Sequence, residues 1–113
     1  DRLAQVMRNL LDNASRHATS RVRVTLARSE ATAIIRVDND GPPVPEAKRA
    51  TVFERFVRLD ETRDRDSGGS GLGMAIVADL VHAHGGTVLA TESDDGWCRF
   101  EVAVPLEPVS SSG

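Results

Sequence analysis

Two kinds of hydrophobic periodicity follow one another in the first 39 residues, and this change restricts the folds open to the chain. Over residues 2–17, apolar side chains recur at spacings of three and four, which predicts a helix with one apolar face. That face consists of Leu3, Val6, Met7, Leu10, Leu11 and Ala14. Over residues 21–28 and 31–39, apolar and polar side chains alternate instead, which predicts two strands.

The rest of the chain predicts a second helix and a second pair of strands. The proline-rich stretch 41–45 cannot continue a central strand, and a short helix is expected near 46–52. Residues 71–84 have helical spacing, and Gly85 suits a C-terminal helix cap that needs a positive φ. The residues at this spacing are Leu72, Ala75, Ile76, Asp79, Leu80 and Ala83. Residues 87–92 and 97–104 predict an antiparallel hairpin that turns at 94–96, with Cys98, Phe100, Val102 and Val104 facing inward.

Helices separated by antiparallel strands predict a two-layer α/β sandwich. The chain has 113 residues, of which 40% are apolar, and this fits one domain with a packed core. We expect this domain over residues 1–106 and a disordered tail over residues 107–113. Residues 57–70 are charged and then rich in Gly and Ser, which predicts a mobile loop.

Composition excludes several classes of protein. A net charge of −3 argues against a nucleic-acid module, which would usually be basic. Cys98 is the only cysteine, so an internal disulfide is impossible and a reducing compartment is favoured. No apolar run approaches the roughly 20 residues that span a bilayer, so no direct membrane contact is expected from this chain.

Polar residues gather on one flank of the first helix. Asn9 and Asn13 are four residues apart and Arg16 lies three beyond, so the three share that flank. Asparagine is unfavourable inside a helix, which leaves two interpretations. The flank is either a solvated polar edge or a site for a hard cation, with an Asn13 carbonyl oxygen as a magnesium ligand and Arg16 facing phosphate.

Asn39 ends the second strand on the same face as Ile35 and Val37, whereas Asp38 and Asp40 face the other way. A polar side chain at the core end of a strand needs partners. Its amide could accept from the amino group of adenine and donate to a ring nitrogen. The alternative is a turn residue that bonds its own backbone, for which the following sequence is well suited.

Residues 67–73 are rich in glycine and run directly into the second long helix. Such a backbone can approach a ligand closely, and a helix start offers free N–H groups to phosphate. The Walker-type phosphate loop is excluded because Lys48 is the only lysine, and the dinucleotide fingerprint fails at Met74. A flexible linker remains the alternative.

The segment before this loop combines aromatic and basic residues. Phe53 and Phe56 are candidate core anchors, and Arg55 and Arg58 could reach a phosphate or simply face solvent. His82 and His84 end the second helix, where positive charge is favourable, and are interpreted as structural. Trp97 is expected to be half-buried.

Five segments together resemble the ATP-binding catalytic domain of sensor histidine kinases. Residues 5–14 resemble the N box, residues 37–45 the first glycine box and residues 52–56 the F box. Residues 69–77 resemble the second glycine box, and residues 84–88 the start of the last hairpin. The resemblance covers nearly the whole chain, in the order of the family.

The resemblance implies the GHKL (Bergerat) ATP-binding fold, a mixed and mostly antiparallel sheet packed against helices. It implies Asn13 as the magnesium ligand, Asn9 as its helper, Arg16 at phosphate and His17 near the nucleotide, with residues 57–70 as a lid. The implied ATP-binding residues are Asn13, Arg16, His17, Asn39, Gly41, Val44, Phe53, Arg55, Phe56, Arg58, Gly69, Ser70, Gly71, Leu72 and Gly73.

The chain departs from the family pattern in the first glycine box. The position where the family usually has an aspartate that reads adenine is occupied here by Asn39, which keeps an oxygen acceptor and loses the charge. The second glycine is Pro43, which puts a flexible backbone there in doubt. Domains of this type usually have strand sequence ahead of the N box, so we expect the chain to be a fragment.

The resemblance implies phosphoryl transfer from Mg-ATP to a histidine on a separate dimerisation domain, and from there to a response regulator. Asn9, Asn13 and Arg16 would be the catalytic residues. We expect a monomeric fragment of a homodimeric, membrane-anchored bacterial receptor, located in the cytoplasm. Two alternatives remain: an anti-sigma-factor serine kinase of the same superfamily, and a non-catalytic nucleotide-binding module.

Overall fold

The computed structural model describes residues 2–54 and 72–106. Within them the chain forms two α-helices, four strands and two 3-10 turns. In chain order these are α1 (Arg2–His17), β1 (Val22–Ser29), β2 (Thr32–Asn39), turns at Glu46–Lys48 and Thr51–Phe53, α2 (Leu72–Ala83), β3 (Thr87–Glu92) and β4 (Cys98–Pro105). The predicted lid at 57–70 and tail at 107–113 lie outside the described residues.

The four strands form one antiparallel sheet in the order β1-β2-β4-β3. Val37 on β2 lies opposite Val24 on β1 and Phe100 on β4, so these three side chains share a face. The expected two-layer α/β sandwich is confirmed, because both helices pack on this face. The described sheet is antiparallel throughout.

The core lies between the helices and the sheet. It contains Val6, Leu10, Ala14, Val37, Met74, Val77, Val81, Ala90, Cys98, Phe100, Val102 and Val104. The inward alternation predicted for β4 is confirmed, since Cys98, Phe100, Val102 and Val104 are all buried. The β3–β4 hairpin and the cap of α2 also have the predicted turns, with positive φ at Gly85 and Gly96.

The buried face of α2 differs from the expected one. Asp79 and Ala83 are exposed and Leu80 is only partly buried, although all three lie at the predicted spacing. The residues of α2 that reach the core are Met74, Ala75, Val77, Ala78 and Val81. This helix is apolar nearly all round, so periodicity does not determine which side packs against the sheet.

The apolar side chains at one edge of the sandwich stay partly accessible. On α1, Leu3 and Leu11 are exposed although they belong to the predicted apolar face. On β1, Val22, Val24 and Leu26 point to the helical side of the sheet and are exposed, Leu26 by 73%. The described elements therefore bury β2 and β4 more completely than β1.

The short helix expected near 46–52 is replaced by the two 3-10 turns. Arg49 lies between them, and its Nε donates to the Val44 carbonyl at 3.0 Å. This bond ties the turns back to the proline-rich stretch after β2. Neither helix in the described part of the chain has the length and hydrophobicity of a membrane span.

The face of the sheet away from the helices carries a network of ion pairs between charged side chains. Asp38 is fully buried there, and its carboxylate accepts two hydrogen bonds from Arg99 at 2.9 and 3.1 Å and two from Arg23 at 2.9 and 3.1 Å. Arg23 also pairs with Asp95 and lies over the ring of the half-buried Trp97, 4.2 Å from its centroid. A buried carboxylate is tolerated because both of its oxygens are paired.

Candidate functional site

The polar flank of α1 contacts the start of α2. Asn9 Nδ2 donates to the Gly73 carbonyl oxygen at 3.4 Å, across 64 residues of sequence. Because Leu72 begins α2, this contact lies in the first turn of that helix. A residue of the N-box segment and a residue of the second glycine segment are therefore adjacent.

Asn13 lies one turn further along the same flank. It is half-buried, and its amide makes no hydrogen bond to any residue the structure describes. Arg16 forms only an exposed pair with Asp12, at 3.4 Å. Exposed pairs of this kind hold their side chains weakly, so both Asn13 and Arg16 are available to a ligand.

Asn39 lies at the end of β2 and is fully buried. Its Oδ1 accepts the backbone N–H of Gly41 at 2.8 Å, so the turn predicted from the sequence forms. Its Nδ2 is buried and has no hydrogen-bond partner among the described residues. The side chain thus acts as a turn residue through its oxygen and leaves its amide nitrogen for another partner.

The thiol of Cys98 lies across the sheet from Asn39 in the β2–β4 register. Burial raises the pKa of Cys98 and outweighs the opposing effects of the Val44 N–H and the Asn39 amide, so the thiol stays protonated at neutral pH. A neutral thiol is a weak acceptor and does not satisfy the Asn39 amide.

Gly41 brings the backbone after β2 against the end of α1. A Cβ added at Gly41 would lie 2.0 Å from the His17 carbonyl oxygen and 2.9 Å from Asn39 Oδ1. No other residue type fits there without moving the backbone. The first glycine of the glycine-box segment is therefore required by close approach to the last residue of α1.

Asp40 fixes the loop that joins α1 to β1. Its Oδ1 accepts the backbone N–H groups of Thr19, Ser20 and Arg21 at 2.8–3.0 Å, and its Oδ2 accepts the Ser20 hydroxyl at 2.8 Å. The hydrogen bonds from the Arg21 and Ser20 N–H groups hold the pKa of Asp40 well below its usual range. Among the three consecutive polar residues 38–40, both aspartates have both carboxylate oxygens hydrogen-bonded. Only Asn39 keeps a polar side-chain atom without a partner among the described residues.

Val44 and Phe53, two further residues predicted to bind ATP, both pack against the hydrophobic core. Val44 is half-buried beside the core, and its carbonyl is occupied by Arg49. Phe53 packs edge-on against Phe100, with ring centroids 5.9 Å apart, as a core anchor. It also lines a cavity of about 430 Å³ between the 3-10 turns, α2 and β3. Contact between Phe53 and a nucleotide stays a prediction.

Several predicted residues lie outside the described part of the chain, and their placement stays a prediction. They are Arg55, Phe56, Arg58, Gly69, Ser70 and Gly71. Of the second glycine segment, the structure describes Leu72 as the first residue of α2 and Gly73 as the second.

Sequence reasoning missed two residues that shape the site. Asp40 was assigned only to the outer face of β2, yet it determines how α1 meets β1. Arg49, which anchors the stretch after Gly41, was not singled out. The position of Asp40 next to a predicted turn could have indicated its role, because aspartate side chains at turns often accept hydrogen bonds from nearby backbone N–H groups.

The described residues offer polar groups of the kinds that contact a nucleotide. The unpaired Asn39 amide could donate to a base, and the first turn of a helix such as α2 generally leaves backbone N–H groups that suit phosphate oxygens. Among the described residues, no group of three or more His, Cys, Asp or Glu could hold a metal ion. A cation here would depend on neutral oxygens such as that of Asn13, with phosphate and water completing the shell.

Comparison with known proteins agrees with this arrangement. Residues 1–108 match the family model described as histidine kinase-, DNA gyrase B-, and HSP90-like ATPase. The chain is 44% identical over 104 residues to the sensor protein RstB of Escherichia coli strain K12, covering 92% of the chain and 24% of RstB. It is 41% identical over 116 residues to the probable sensor histidine kinase TcrY of Mycobacterium tuberculosis, covering 98% of the chain and 24% of TcrY.

Solved structures show the same similarity. The mycobacterial sensor histidine kinase MprB superposes with a TM-score of 0.80 at 30% identity, covering 96% of this chain and 72% of that one. Full-length ShkA in complex with AMPPNP superposes with a TM-score of 0.79 at 29% identity, covering 96% of this chain and 22% of that one.

The chain spans about a quarter of the length of RstB and TcrY. With the family model matching nearly its whole length, the chain belongs to the histidine kinase-, DNA gyrase B- and HSP90-like ATPases and is similar to the catalytic domains of sensor histidine kinases.

Proposed function

We propose that this chain binds Mg-ATP and donates the γ-phosphoryl group to a histidine on a separate dimerisation domain, in two-component signalling. One observation carries the proposal: α1 contacts both glycine segments. It meets the first where His17 lies against Gly41, and the second where Asn9 donates to Gly73. These two points are eight residues apart, or about 12 Å along the helix.

That spacing suits a nucleotide lying along α1, with its base toward Asn39 and its phosphates toward the start of α2. Asn13 lies midway between the two contacts along α1, about one turn from each. The metal ion would be held by Asn13, and it would neutralise charge on the phosphates. Arg16 has only a weak partner in Asp12 and can turn to a phosphate oxygen.

The protein would contribute mainly position and charge, as is usual in phosphoryl transfer. Asn39 would orient the base, the N–H groups at the start of α2 would hold phosphate oxygens, and Asn9 would fix the two helices relative to each other. The chain would act with the dimerisation domain that supplies the acceptor histidine, and with a response regulator that takes the phosphoryl group from it. Similarity to sensor proteins such as RstB supports this assignment.

Radiolabelled ATP tests the proposal. The purified chain is incubated with magnesium and γ-labelled ATP, with and without the dimerisation domain from the same gene. We expect label on the added domain only, and none when its histidine is replaced by glutamine. Calorimetry on the chain alone should show ATP and ADP binding. Absence of any nucleotide binding would contradict the proposal, and binding without transfer would favour the non-catalytic alternative.

A further inference from the structure

The cavity between the second 3-10 turn, α2 and β3 is separate from the proposed nucleotide site. It encloses about 430 Å³, a volume typical of sites that bind small organic molecules. Of the described residues predicted to bind ATP, Phe53 alone lines it. The residues that α2 contributes are Ala78 and His82, which lie in the second half of the helix, whereas the phosphates are proposed at its start.

The floor of the cavity is apolar. Ala78 and Ala90 are buried there, and Phe53 and Val88 are half-buried. Phe53 packs edge-on against Phe100, with ring centroids 5.9 Å apart, so packing holds this wall in place. The two alanines come from α2 and β3, and their short side chains leave the space between these elements unfilled. The floor therefore suits an aromatic ring or a short hydrocarbon chain.

The rim of the cavity supplies hydrogen-bond donors. Arg49 is half-buried, and the bond from its Nε to the Val44 carbonyl holds the guanidinium in place. The two terminal nitrogens of Arg49 make no hydrogen bond to any residue that the structure describes. His82 lines the α2 wall, and its ring keeps at least one N–H donor whether it is neutral or charged. The described residues around the cavity include no aspartate or glutamate.

This combination of groups favours a carboxylate. The chain carries a net charge of −3, so a preference for an anion at this place needs a local cation. Arginine is always charged, and its planar guanidinium can bind a carboxylate through two parallel hydrogen bonds. Because the Nε of Arg49 is used by Val44, the pair of terminal nitrogens is the part that remains for this contact.

We propose that this cavity is a second ligand site, which binds a small amphipathic carboxylate with an aromatic or hydrocarbon body. The body would lie against Phe53, Ala78 and Val88, and the carboxylate would bind the terminal nitrogens of Arg49, with His82 as a further donor. Such a molecule would contact the turn, α2 and β3 together. The proposal is independent of the proposed function, since no part of it requires a nucleotide.

Three probes test the proposal by NMR titration of the isotope-labelled chain. The first is 1-naphthaleneacetate, the second is its neutral amide of the same shape, and the third is acetate, which has the charge without the apolar body. We expect 1-naphthaleneacetate to shift the backbone amides of residues 49–53, 78–82 and 88–90. It should bind about five- to tenfold more tightly than the amide, the usual effect of one charged hydrogen-bond partner. Acetate should cause no saturable shift in these residues.

Two pairs of variants separate the apolar body from the charge. Ala50→Phe, at the exposed rim, should block 1-naphthaleneacetate, whereas Ala47→Phe, exposed in the preceding turn and outside the cavity, should bind it as the wild type does. Arg49→Met should remove the preference for the carboxylate over the amide, and the neighbouring Lys48→Met should keep it.

Several outcomes would overturn the proposal, and the first two need no variant to fold. They are shifts confined to other parts of the wild type, equal binding of the carboxylate and the amide to it, unchanged binding to Ala50→Phe, and a preference that survives in Arg49→Met. Displacement of the probe by ADP would place it in the nucleotide site instead. Shifts of the same amides on simple dilution of the chain would show that a second copy fills the cavity, and the ligand site would then be wrong.

Discussion

The carboxylate of Asp40 binds Ser20 twice, through the backbone N–H at 2.9 Å and through the side-chain hydroxyl at 2.8 Å. Further bonds from Thr19 and Arg21 complete a ring of donors around it. These bonds hold the end of α1 beside the end of β2, where Asn39 and the proposed nucleotide lie. Asp40 is therefore expected to act on both stability and binding.

Replacing Asp40 by Asn should lower the free energy of unfolding at pH 7, since the charge that attracts three N–H groups is lost. The pKa of Asp40 is depressed, so its stabilisation is complete above about pH 5 and is lost as the pH falls below the ordinary value of about 3.9. The difference between wild type and variant should then narrow from pH 6 to pH 3 in urea unfolding. Asp94→Asn, in the exposed β3–β4 turn, is the control. A difference that does not change with pH would argue against this role.

Asp38 and Asn39 are neighbours on opposite faces, which allows a matched comparison. Asp38→Asn should lower the free energy of unfolding by about 2–4 kcal/mol, because it leaves two arginines without their shared partner. It should leave ATP affinity of the folded protein unchanged. Asn39→Ala should instead weaken ATP binding by about 1–3 kcal/mol, and Asn39→Asp should restore most of it. Urea unfolding and calorimetry give both quantities, and equal effects of the two residues on ATP affinity would refute the assignment of faces.

Gly41→Ala should weaken nucleotide binding and destabilise the chain, because the new Cβ would lie 2.0 Å from the His17 carbonyl. Gly86→Ala makes a comparable clash, 2.3 Å from the Ala103 carbonyl, at the far side of the sheet. Both variants should unfold at lower temperature, whereas only Gly41→Ala should lose affinity for ATP. Thermal unfolding and calorimetry below the transition separate the two effects. The proposed site would be wrong if Gly86→Ala lost as much affinity.

Asn13→Ala should abolish the dependence of ATP binding on magnesium, since it removes the oxygen proposed as metal ligand. Calorimetry with magnesium and with EDTA measures this dependence. Ser15→Ala, on the exposed side of the same helix, should behave as the wild type. Retained magnesium dependence in Asn13→Ala would remove this residue from the metal site.

The isolated chain should neither phosphorylate itself nor hydrolyse ATP appreciably. Its three histidines are His17, His82 and His84, and the last two lie roughly 15–18 Å from the start of α2. Hydrolysis needs a base to activate water, and the neutral Asn9, which donates to Gly73, cannot take a proton. Incubation with γ-labelled ATP should leave the chain unlabelled. Brisk phosphate release that Asn9→Ala eliminates would show that the chemistry is misassigned.

Local periodicity predicted the elements well because their patterns were unambiguous. The helix at residues 2–17 matches α1, and all four strands lie within a residue or two of their predicted bounds. The face of α2 could not be predicted, because Val77 and Val81 are no more apolar than Ile76 and Leu80. Tertiary packing against β2 and β4 decides which of these side chains is buried.

The candidate site was predictable where it depends on residue type and was not where it depends on long-range contacts. The register of β2 placed Asn39 on the core face, and both functions considered for its amide remain compatible with the structure. The contact between Asn9 and Gly73 joins residues 64 apart, and the bond between Asp40 and Ser20 spans a helix–strand loop. Such pairings need the fold before they can be recognised.

The buried carboxylate of Asp38 also affects how the sheet opens. Asp38 lies on β2 and forms ion pairs with Arg23 of β1 on one side and with Arg99 of β4 on the other. One side chain therefore links three neighbouring strands of the sheet. Arg36 and Glu101 add a second link between β2 and β4, at 2.9 Å. An edge strand would ordinarily fray first, yet here separation of β1 breaks the partly buried ion pair between Arg23 and Asp38. Backbone amides of β1 near Arg23 should therefore exchange with solvent as slowly as those of the central strands, in one cooperative unit.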